Sequence, residues 1–362
     1  MSFSISTSIL QRLVTKVQRG ASNNKLLPLT SFVSISLKDN KLKLTTTDMT
    51  NYVTATEYNV TGNDFSVVVS LESFGKLVGK TTTQEIVLEL TENSLQFIGN
   101  GTYNIDLPLN EEGEPVKFPM YEFTPTYEAV DVKYQDIKSV ITANKSCLAS
   151  DMSQPVLTYY YCGNDNVISA DQYNICINNV QLFNEPVLIS NVMMDLVALF
   201  GDDTITVTRN DSAIMFSSPT YCVYGKLFTD LDSYPSEPIQ AYLSTQFEHN
   251  CKVSRELLLG AIDRLSIFMD KLDSGKLIFE FTDSSVTIYN ANRTSHETIK
   301  YLDATDMTRT GNFTCNVNSE LIHSQLVSNS DDNLDIYYGE EHGGCIKIVD
   351  NDIVKITSLM ED

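Results

Sequence analysis

Apolar and polar residues follow one plan that occurs three times along this chain. In its first occurrence, an apolar segment at 65–69 predicts a strand, and Ser70 predicts the N-cap of a short amphipathic helix that ends near Gly79. Two segments of alternating apolar and polar residues, 85–90 and 94–98, predict a hairpin around a polar turn. The plan is therefore a strand, a cap, a helix and two further strands.

The second and third occurrences have the same order of elements. The second has its strand, cap, helix and two strands at 186–189, Ser190, 191–200, 204–209 and 213–217. The third has them at 313–317, Asn318, 319–327, 334–338 and 345–349. The three predicted caps are separated by 120 and 128 positions. This spacing predicts one domain type used three times, with domains at 1–123, 124–243 and 244–362.

Each predicted domain also contains a second helix and more antiparallel strands. The first domain adds a helix at 8–19 and strands at 3–5, 30–37, 41–46, 53–60 and 102–109. The second adds a helix at 134–148 and strands at 155–162, 167–170, 173–180 and 221–228. The third adds strands at 247–253 and 353–359 and a helix from Arg255 to a point between 268 and 271. Segments 110–123 and 229–240 are predicted linkers, and the fold class is α+β, with three similar domains of antiparallel sheet and two helices each.

Length and composition fit three domains of ordinary size. The chain has 362 residues, of which 42% are hydrophobic. It contains no apolar run of membrane-spanning length, and its N-terminus does not have the pattern of a secretory signal, so we predict a cytoplasmic protein with no membrane partner. The seven cysteines are scattered and never in CxxC spacing, which predicts reduced core thiols.

The formal net charge of −22 argues against a nucleic-acid partner, because phosphates repel an acidic protein at long range. The distribution of the charge changes this picture. The first 38 residues contain five basic residues and no acidic one, and Asp39 is the first acid of the chain. The sequence therefore predicts a polarised surface.

Helical periodicity indicates where these basic residues lie. In the helix at 8–19, Leu10, Leu13, Val14 and Val17 recur on one side, and Arg12, Lys16 and Arg19 fall on the opposite side. In the helix after Ser70, Phe74, Leu77 and Val78 face inward, and Lys76 and Lys80 fall opposite them. Either helix alone is explained by an ordinary solvated face. Two helices of one domain with the same polarity also fit a cationic surface, and both interpretations remain open.

The later helices are less basic. Lys138 and Lys145 lie on one flank of the helix at 134–148, and the helix at 191–200 has no base. In the helix from Arg255, Arg264 and Lys271 point away from the apolar stripe but alternate with acidic residues. The cationic pattern is therefore concentrated in the first domain.

No constellation of residues supports catalysis or metal binding. The four histidines have no ligand spacing, and the chain has no nucleophile elbow, phosphate-binding glycine loop or zinc-protease motif. We therefore expect no cofactor, no metal and no enzymatic activity. Two alternatives are open: a structural or adhesion protein of repeated β-rich domains, and an enzyme whose site is assembled from dispersed acids. The first does not explain bases concentrated on helix faces opposite the core.

Short motifs in a shared order resemble those of the bacterial-type DNA polymerase sliding clamp, the beta subunit of the replicative polymerase. They are Leu27-Pro28-Leu29, Thr47-Asp48-Met49, Phe118-Pro119, the run from Gln154 to Thr158, and Tyr234-Pro235. Each motif is short, but together they span the chain, and their order is the specific part of the resemblance. The sequence resembles a divergent member of this family, for which a divergent replicon such as a phage or a plasmid fits as the source.

The resemblance implies a DNA polymerase processivity factor that needs no cofactor. Two subunits would join head to tail as a homodimer, so that six similar domains form a ring around double-stranded DNA, loaded by a clamp-loader ATPase. The helices would contact phosphates without sequence specificity, while the acidic exterior keeps DNA from binding elsewhere. The DNA-facing residues would be Arg12, Lys16, Arg19, Lys25, Lys76, Lys80, Lys138, Lys145, Arg264 and Lys271.

The resemblance also implies an apolar pocket for short peptides from the replicative polymerase and other replication or repair proteins. Its residues would be Leu157, Ala170, Asp171, Gln172, Tyr173, Asn174, Ile175, Pro235, Ile239, Ile356, Ser358, Leu359 and Met360. The family usually has threonine-aspartate-glycine-histidine-arginine where this chain has 170–174, and a proline-methionine tail where this chain has 358–362. These departures leave the peptide specificity open. Ordinary packing between domains is the alternative role for these residues.

Overall fold

The computed structural model describes residues 1–24, 26–151, 153–243, 246–269, 275–302, 312–340 and 344–361. Within these ranges the chain repeats one series of elements three times, as strand, helix, four strands, helix and three strands. None of the described helices is long and apolar enough to cross a membrane. None of the seven cysteines is in a disulfide.

The first repeat consists of β1 (Ser2–Ser6), α1 (Thr7–Val17), β2 (Phe32–Lys38), β3 (Lys41–Thr47), β4 (Asn51–Tyr58), β5 (Phe65–Ser70), α2 (Leu71–Lys80), β6 (Glu85–Leu90), β7 (Ser94–Ile98) and β8 (Thr102–Asp106). The second consists of β9 (Val130–Lys133), α3 (Tyr134–Asn144), β10 (Tyr159–Cys162), β11 (Val167–Ala170), β12 (Asn174–Asn178), β13 (Val187–Ser190), α4 (Asn191–Val197), β14 (Thr204–Arg209), β15 (Ala213–Ser217) and β16 (Tyr221–Lys226), and α5 (Ser236–Leu243) follows it. The third consists of β17 (His249–Ser254), α6 (Arg255–Ser266), β18 (Lys276–Phe281), β19 (Ser285–Asn290), β20 (His296–Lys300), β21 (Phe313–Asn318), α7 (Ser319–Val327), β22 (Asn333–Tyr338), β23 (Cys345–Asp350) and β24 (Ile353–Ser358).

The strands form four antiparallel sheets. Two have four strands, in the orders β1-β6-β7-β8 and β20-β19-β18-β21. Two have eight strands, in the orders β5-β2-β3-β4-β16-β15-β14-β9 and β13-β10-β11-β12-β24-β23-β22-β17. The first eight-stranded sheet forms because β4 pairs with β16, and we call this pairing the first internal joint. The second forms because β12 pairs with β24, and we call this pairing the second internal joint. The prediction of an α+β fold built from repeated antiparallel domains is confirmed.

Contacts divide the chain into two compact units. The first comprises Met1–Tyr134 and Val192–Leu227, and the second comprises Gln135–Asn191 and Phe228–Asp362. Each unit holds one four-stranded and one eight-stranded sheet. This division passes through the second repeat, whereas the domain limits at 123 and 243 follow the sequence repeat and stay a prediction.

Local sequence explains several element boundaries. Ser70 ends β5 and caps α2, its Oγ accepting a hydrogen bond from the Ser73 N–H at 3.4 Å. Asn318 caps α7 in the same way, accepting from the Glu320 and Leu321 N–H groups. Asp39 and Asn40 both have positive φ, of 51° and 57°, and form the tight turn between β2 and β3.

Several predicted boundaries are wrong for one shared reason. The strands predicted to begin at Thr30 and Pro155 begin later, at Phe32 and Tyr159, because Pro28–Ser31 and Pro155–Thr158 each form a 3-10 turn with proline at its first position. Proline favours this first position because its missing N–H is not needed there. The second predicted linker contains a helix, α5, instead of irregular chain.

The second internal joint buries a charged residue. Lys355 of β24 is 1% exposed, and its Nζ donates to the Gln325 carbonyl at 2.8 Å and to the Ser328 hydroxyl at 2.6 Å. Both acceptors lie at the C-terminal end of α7, where backbone carbonyls lack helical partners. Burial lowers the pKa of Lys355. At the first internal joint, the corresponding residue of β16 is the buried Val223.

Candidate nucleic-acid interface and peptide pocket

Helix α1 has one buried and one basic face. Leu10, Leu13, Val14 and Val17 are buried, and α1 packs against β3, β4 and α2 of its own repeat. The Gln11 side chain donates to the Val78 carbonyl of α2 at 3.0 Å, which ties the two helices together. On the opposite face Arg12 is exposed and Lys16 is half-buried, and Arg19 is exposed in the 3-10 turn at Gln18–Gly20 that follows α1. The first helix contains no acidic residue that would oppose these charges.

Arg12 and Lys16 each contact a strand of the first internal joint. The Arg12 guanidinium forms an ion pair with Glu57 of β4 at 2.6 Å. The Lys16 ammonium lies 5.1 Å from the ring centre of Tyr221 on β16, a cation–π contact. Burial raises the pKa of Tyr221, and its hydroxyl donates to the Leu196 carbonyl at 3.3 Å. Helix α1 therefore lies across the pairing of β4 with β16.

Helix α2 continues the basic surface of the first repeat. Lys76 is exposed and pairs with Glu72, one turn earlier, at 2.5 Å. The hydrogen bond from Lys76 lowers the pKa of Glu72, with the positive charge of Lys76 adding to the effect. Lys80 is exposed in the last turn of α2, where the helix dipole favours a cation. Arg12, Lys16, Lys76 and Lys80 thus lie on one packed helix pair, and Arg19 lies in the 3-10 turn directly after α1.

The other predicted DNA-facing residues lie on α3 and α6. Lys138 is exposed on α3, and Lys145 is exposed in the turn that follows it. Arg264 of α6 is held by Glu297 of β20 through two hydrogen bonds of 2.7 Å, which raise the pKa of Arg264 and lower that of Glu297. Lys25 and Lys271 lie outside the described residues. Glu57, Tyr221 and Glu297 were not predicted, because each is distant in sequence from the base that it contacts.

The first part of the predicted peptide pocket is a buried apolar cluster. Leu157, Ala170 and Ile239 pack together with Tyr234, and each is more than nine-tenths buried. Ile175 packs against them from β12, and Pro235 is half-buried at the start of α5. The Tyr234 ring stacks on Tyr161 with 5.0 Å between ring centres. The linker predicted between the second and third domains therefore supplies part of this cluster.

The loop at 170–174 has a defined shape despite its unusual sequence. The Asp171 carboxylate accepts hydrogen bonds from the Tyr173 and Asn174 N–H groups at 2.7 and 2.6 Å and from the Asn174 side chain at 3.3 Å. Asp48 holds Thr50 and Asn51 in the same way in the first repeat. Because the loop is fixed, the side chains of Gln172 and Tyr173 project from it and are exposed.

The remaining predicted pocket residues lie at the end of the chain. Ile356 is buried on β24 and pairs with Ile175 of β12, which connects this part to the apolar cluster. Ser358, Leu359 and Met360 are half-buried. The Met360 N–H donates to the Asn316 carbonyl of β21 at 2.8 Å, beside an open cleft of about 760 Å³ that Leu359 and Met360 line.

Among the described residues, two end strands of the four-stranded sheets have no strand or bridge on their outer side. β8 ends one sheet and β20 ends the other. Tyr103 on β8 is 42% exposed, and at the end of α6, which packs against β20, Ile267 and Phe268 are 76% and 58% exposed. An open strand edge flanked by exposed large apolar side chains is typical of an interface. The apolar pair Ile267-Phe268 after the last turn of α6 is the sequence signal for this site, and the site was not predicted from the sequence.

This chain is similar to known proteins in structure, whereas comparisons of its sequence find no match. No protein-family model matches the sequence, and no curated protein matches it. Among solved structures, the chain is similar to the beta subunit of the DNA polymerase of Streptococcus pyogenes, with a TM-score of 0.88, 16% identity and all of both chains covered.

Two further structures give the same result. The DNA polymerase sliding clamp of Bacillus subtilis matches with a TM-score of 0.87 and 14% identity, and the polymerase III beta subunit of Thermotoga maritima with 0.83 and 16%. In both cases all of this chain and 99% of the other chain are covered. The chain therefore has the fold of the bacterial DNA polymerase beta subunits, the sliding clamps, over its whole length.

Proposed function

We propose that this protein is a non-catalytic DNA polymerase processivity factor, a sliding clamp that encircles duplex DNA as a head-to-tail homodimer. The observation that carries the proposal is the agreement of fold with sliding clamps over the full length of both chains. The basic faces of α1 and α2 support it, because they supply the phosphate contacts that a strongly acidic protein otherwise lacks. The replicative polymerase and a clamp-loader ATPase are its proposed protein partners.

The internal joints support a specific way of closing the ring. Ladder positions can be counted strand by strand from the residue two before the N-cap of each repeat's second helix, which is Val68, Leu188 or Asn316. At the same position, Thr54 pairs with Cys222 at the first joint and Ile177 with Val354 at the second. The two joints thus have one register. The equivalent residues on the open strands are His296 of β20 and Thr102 of β8.

We therefore propose that β8 pairs antiparallel with β20 of a second subunit, with Thr102 opposite His296 of the partner subunit. This pairing would satisfy backbone groups that are open in a single chain. It would also place Tyr103 near Ile267 and Phe268 of the partner subunit, so that exposed apolar surface from both sides becomes covered. A head-to-tail contact of this kind gives a closed ring when a whole number of its rotations adds up to a full turn.

The DNA contact in this proposal is electrostatic and independent of sequence. The bases of α1 and α2 would meet phosphates, and encirclement, not affinity, would hold the ring on DNA. The apolar cluster around Leu157, Ala170 and Ile239 would form the floor of the pocket for partner peptides. The exposed Gln172 and Tyr173 would then shape its rim.

A cross-linking experiment tests the ring. The variant Thr102→Cys with His296→Cys is expected to form a covalent dimer on mild oxidation, because the two positions face each other at the proposed joint. The matched control is Asn104→Cys with His296→Cys, which is displaced by two residues along the same strand face and is expected to cross-link much less. The cross-linked ring should remain on nicked circular DNA and leave it after the DNA is cut.

The alternative, a structural protein of repeated β-rich domains, gives a different result. It predicts a monomer at micromolar concentration and no topological retention on circular DNA. Both outcomes together would exclude the sliding-clamp proposal. A dimer that cross-links equally well in the displaced pair would exclude only the proposed register.

A further inference from the structure

A preformed cavity lies in the first repeat, away from the basic helix faces. It has a volume of about 670 Å³, within the range of ordinary ligand sites. Its walls come from β2 and β5, the turn after β6, and the segment at 107–120. The lining is mainly apolar and includes Val68, Leu90, Leu107, Val116 and Phe118.

The outer wall of this cavity is a fixed hairpin. The Asn110 N–H donates to the Glu114 carbonyl at 2.8 Å, and the Val116 N–H donates to the Pro108 carbonyl at 2.8 Å. Gly113 has a φ of +79°, which permits the tight turn at the hairpin tip. Phe118 then packs against the buried Tyr52 and Tyr224. The cavity is therefore held open by hydrogen bonds on one side and an aromatic anchor on the other.

The three repeats differ at the strand edge beside this cavity. Val68, Leu188 and Asn316 are equivalent, each two residues before its helix cap, and they lie on the outermost strands β5, β13 and β21. In the second repeat Leu188 forms a bridge with Phe228. In the third repeat Asn316 forms one with Met360, whose N–H donates to the Asn316 carbonyl. Both bridging residues come two positions after the last strand of their repeat.

The equivalent position in the first repeat is Pro108, two residues after β8. Proline has no N–H and cannot donate to the Val68 carbonyl. Among the described residues, no bridge to the outer side of β5 is formed. The outer edge of β5 is thus unpaired, within the described part of the chain, at the point where Val68 also lines the cavity.

The surroundings of the cavity are strongly acidic. Segment 85–123 contains eight acidic residues and one base, Lys117, which selects for positively charged partners. Glu92 and Glu114 lie at the cavity itself, together with Lys117, so that two acids and one base line it. Within the described ranges, neither carboxylate takes part in an ion pair.

We propose that this cavity and the edge of β5 bind an extended peptide that carries a large apolar side chain flanked by lysine or arginine. The peptide backbone would pair with β5 at Val68, the apolar side chain would enter the cavity, and the flanking cations would meet Glu92 and Glu114. This is strand addition to an open sheet edge, with a pocket supplying specificity. The proposal is independent of ring formation.

The test uses a fluorescein-labelled synthetic peptide of alternating leucine and threonine with lysines at both ends, titrated with the full chain by fluorescence anisotropy. The variant Glu92→Lys with Glu114→Lys is expected to weaken binding about tenfold, since two charge contacts are reversed. The matched control, Glu111→Lys with Glu112→Lys, changes the same charge on the same hairpin outside the cavity. It is expected to weaken binding by less than about twofold.

Backbone pairing is tested separately. The same peptide with N-methylated leucines is expected to lose binding, and hydrogen exchange at the Val68 amide is expected to slow when the unmethylated peptide is bound. If both double variants weakened peptide binding equally, long-range charge alone would explain the effect, and the proposal would be overturned. Undiminished binding of the N-methylated peptide would overturn it as well. Retention of both variants on circular DNA distinguishes these outcomes from failure of the clamp proposal.

Discussion

The helix pairs of the first and third repeats have the same core and different surfaces. In α1 and α2, Leu10 and Phe74 are fully buried, and in α6 and α7, Leu258 and Leu326 are equally buried. The first pair has four exposed or half-buried bases, a fifth directly after α1, and one acid, Glu72. In the third pair, Glu256, Asp263 and Glu320 oppose Arg255 and Arg264. The fold therefore requires only the apolar stripe, and charge can differ from one repeat to the next.

The two helix pairs differ in how much unpaired positive charge they can offer to DNA phosphates. Arg264 is tied to Glu297 by two hydrogen bonds, so little of its charge remains for a phosphate. Lys16, Arg19 and Lys80 have no ion pair within the described part of the chain. We expect the first repeat to supply most of the attraction to DNA, although all three repeats share one fold.

The largest expected effect tests whether the two cores are equivalent. Phe74→Ala in α2 should lower the free energy of unfolding by about 3–5 kcal/mol, and Ile322→Ala in α7 by about 2–5 kcal/mol, because both side chains are buried. Urea unfolding monitored by circular dichroism measures the change. Lys80→Ala, on the exposed face of α2, is the control and should alter stability by less than about 0.5 kcal/mol. A loss below about 1 kcal/mol for either core variant would contradict the equivalence.

The second prediction tests whether the two surfaces differ. Lys16→Gln with Lys80→Gln should reduce the dependence of duplex binding on salt by about two units of log K per log salt concentration, one for each lost phosphate contact. Arg264→Gln should reduce it by less than about half a unit, because Glu297 already neutralises this arginine. Fluorescence anisotropy with a short labelled duplex over a salt series gives both slopes. Similar reductions for the two repeats would show that the first is not the main contact.

A smaller effect is expected from releasing Arg12. Glu57→Gln removes the carboxylate that pairs with this arginine, so Arg12 becomes available for phosphate and duplex binding should tighten about twofold. The double variant Glu57→Gln with Arg12→Gln is the control and should lose this gain. Unchanged affinity in the single variant would indicate that Arg12 does not face DNA.

The smallest effect concerns the exposed ion pairs of the two helix pairs. Lys76→Gln should raise the pKa of Glu72, and Arg264→Gln should raise that of Glu297, because each base now lowers the pKa of its carboxylate. A carboxylate whose pKa is lowered by folding contributes stability above its unfolded pKa and loses it as pH falls through the folded value. NMR titration below pH 4.5 measures both shifts. A pKa of Glu72 unchanged by Lys76→Gln would contradict the pairing.

Alternating strands and capped helices were predictable from sequence. The strands at 85–90, 94–98, 204–209 and 213–217 and the helix at 319–327 agree with the structure to the residue. In each case, local pattern and turn residues favour the same element. The helix at 191–200 was predicted too long, because Ala198, Leu199 and Phe200 continue the apolar pattern after the regular helix has ended at Val197. Apolar residues alone do not determine where a helix ends.

Other features depend on contacts that no local pattern contains. β18, β19 and β20 were not predicted, nor was the pairing of β4 with β16 and of β12 with β24, which joins strands more than 150 residues apart. Periodicity placed Arg12 and Arg264 on outward helix faces, but their partners Glu57 and Glu297 lie on strands distant in sequence. The helix face of a base is therefore predictable, whereas its effective charge is not.

The open edges of β8 and β20 have a consequence for concentrated solutions. In the proposed head-to-tail pairing each edge would take a further copy of the chain, so a contact whose rotation falls short of closure would add subunits without limit and produce a filament. The rotation between neighbouring subunits then decides between a ring and a filament. A change in the length of the segments between repeats is expected to alter this rotation and convert rings into fibres. The net charge of −22 opposes such growth by repulsion between neighbours, so added salt should favour it.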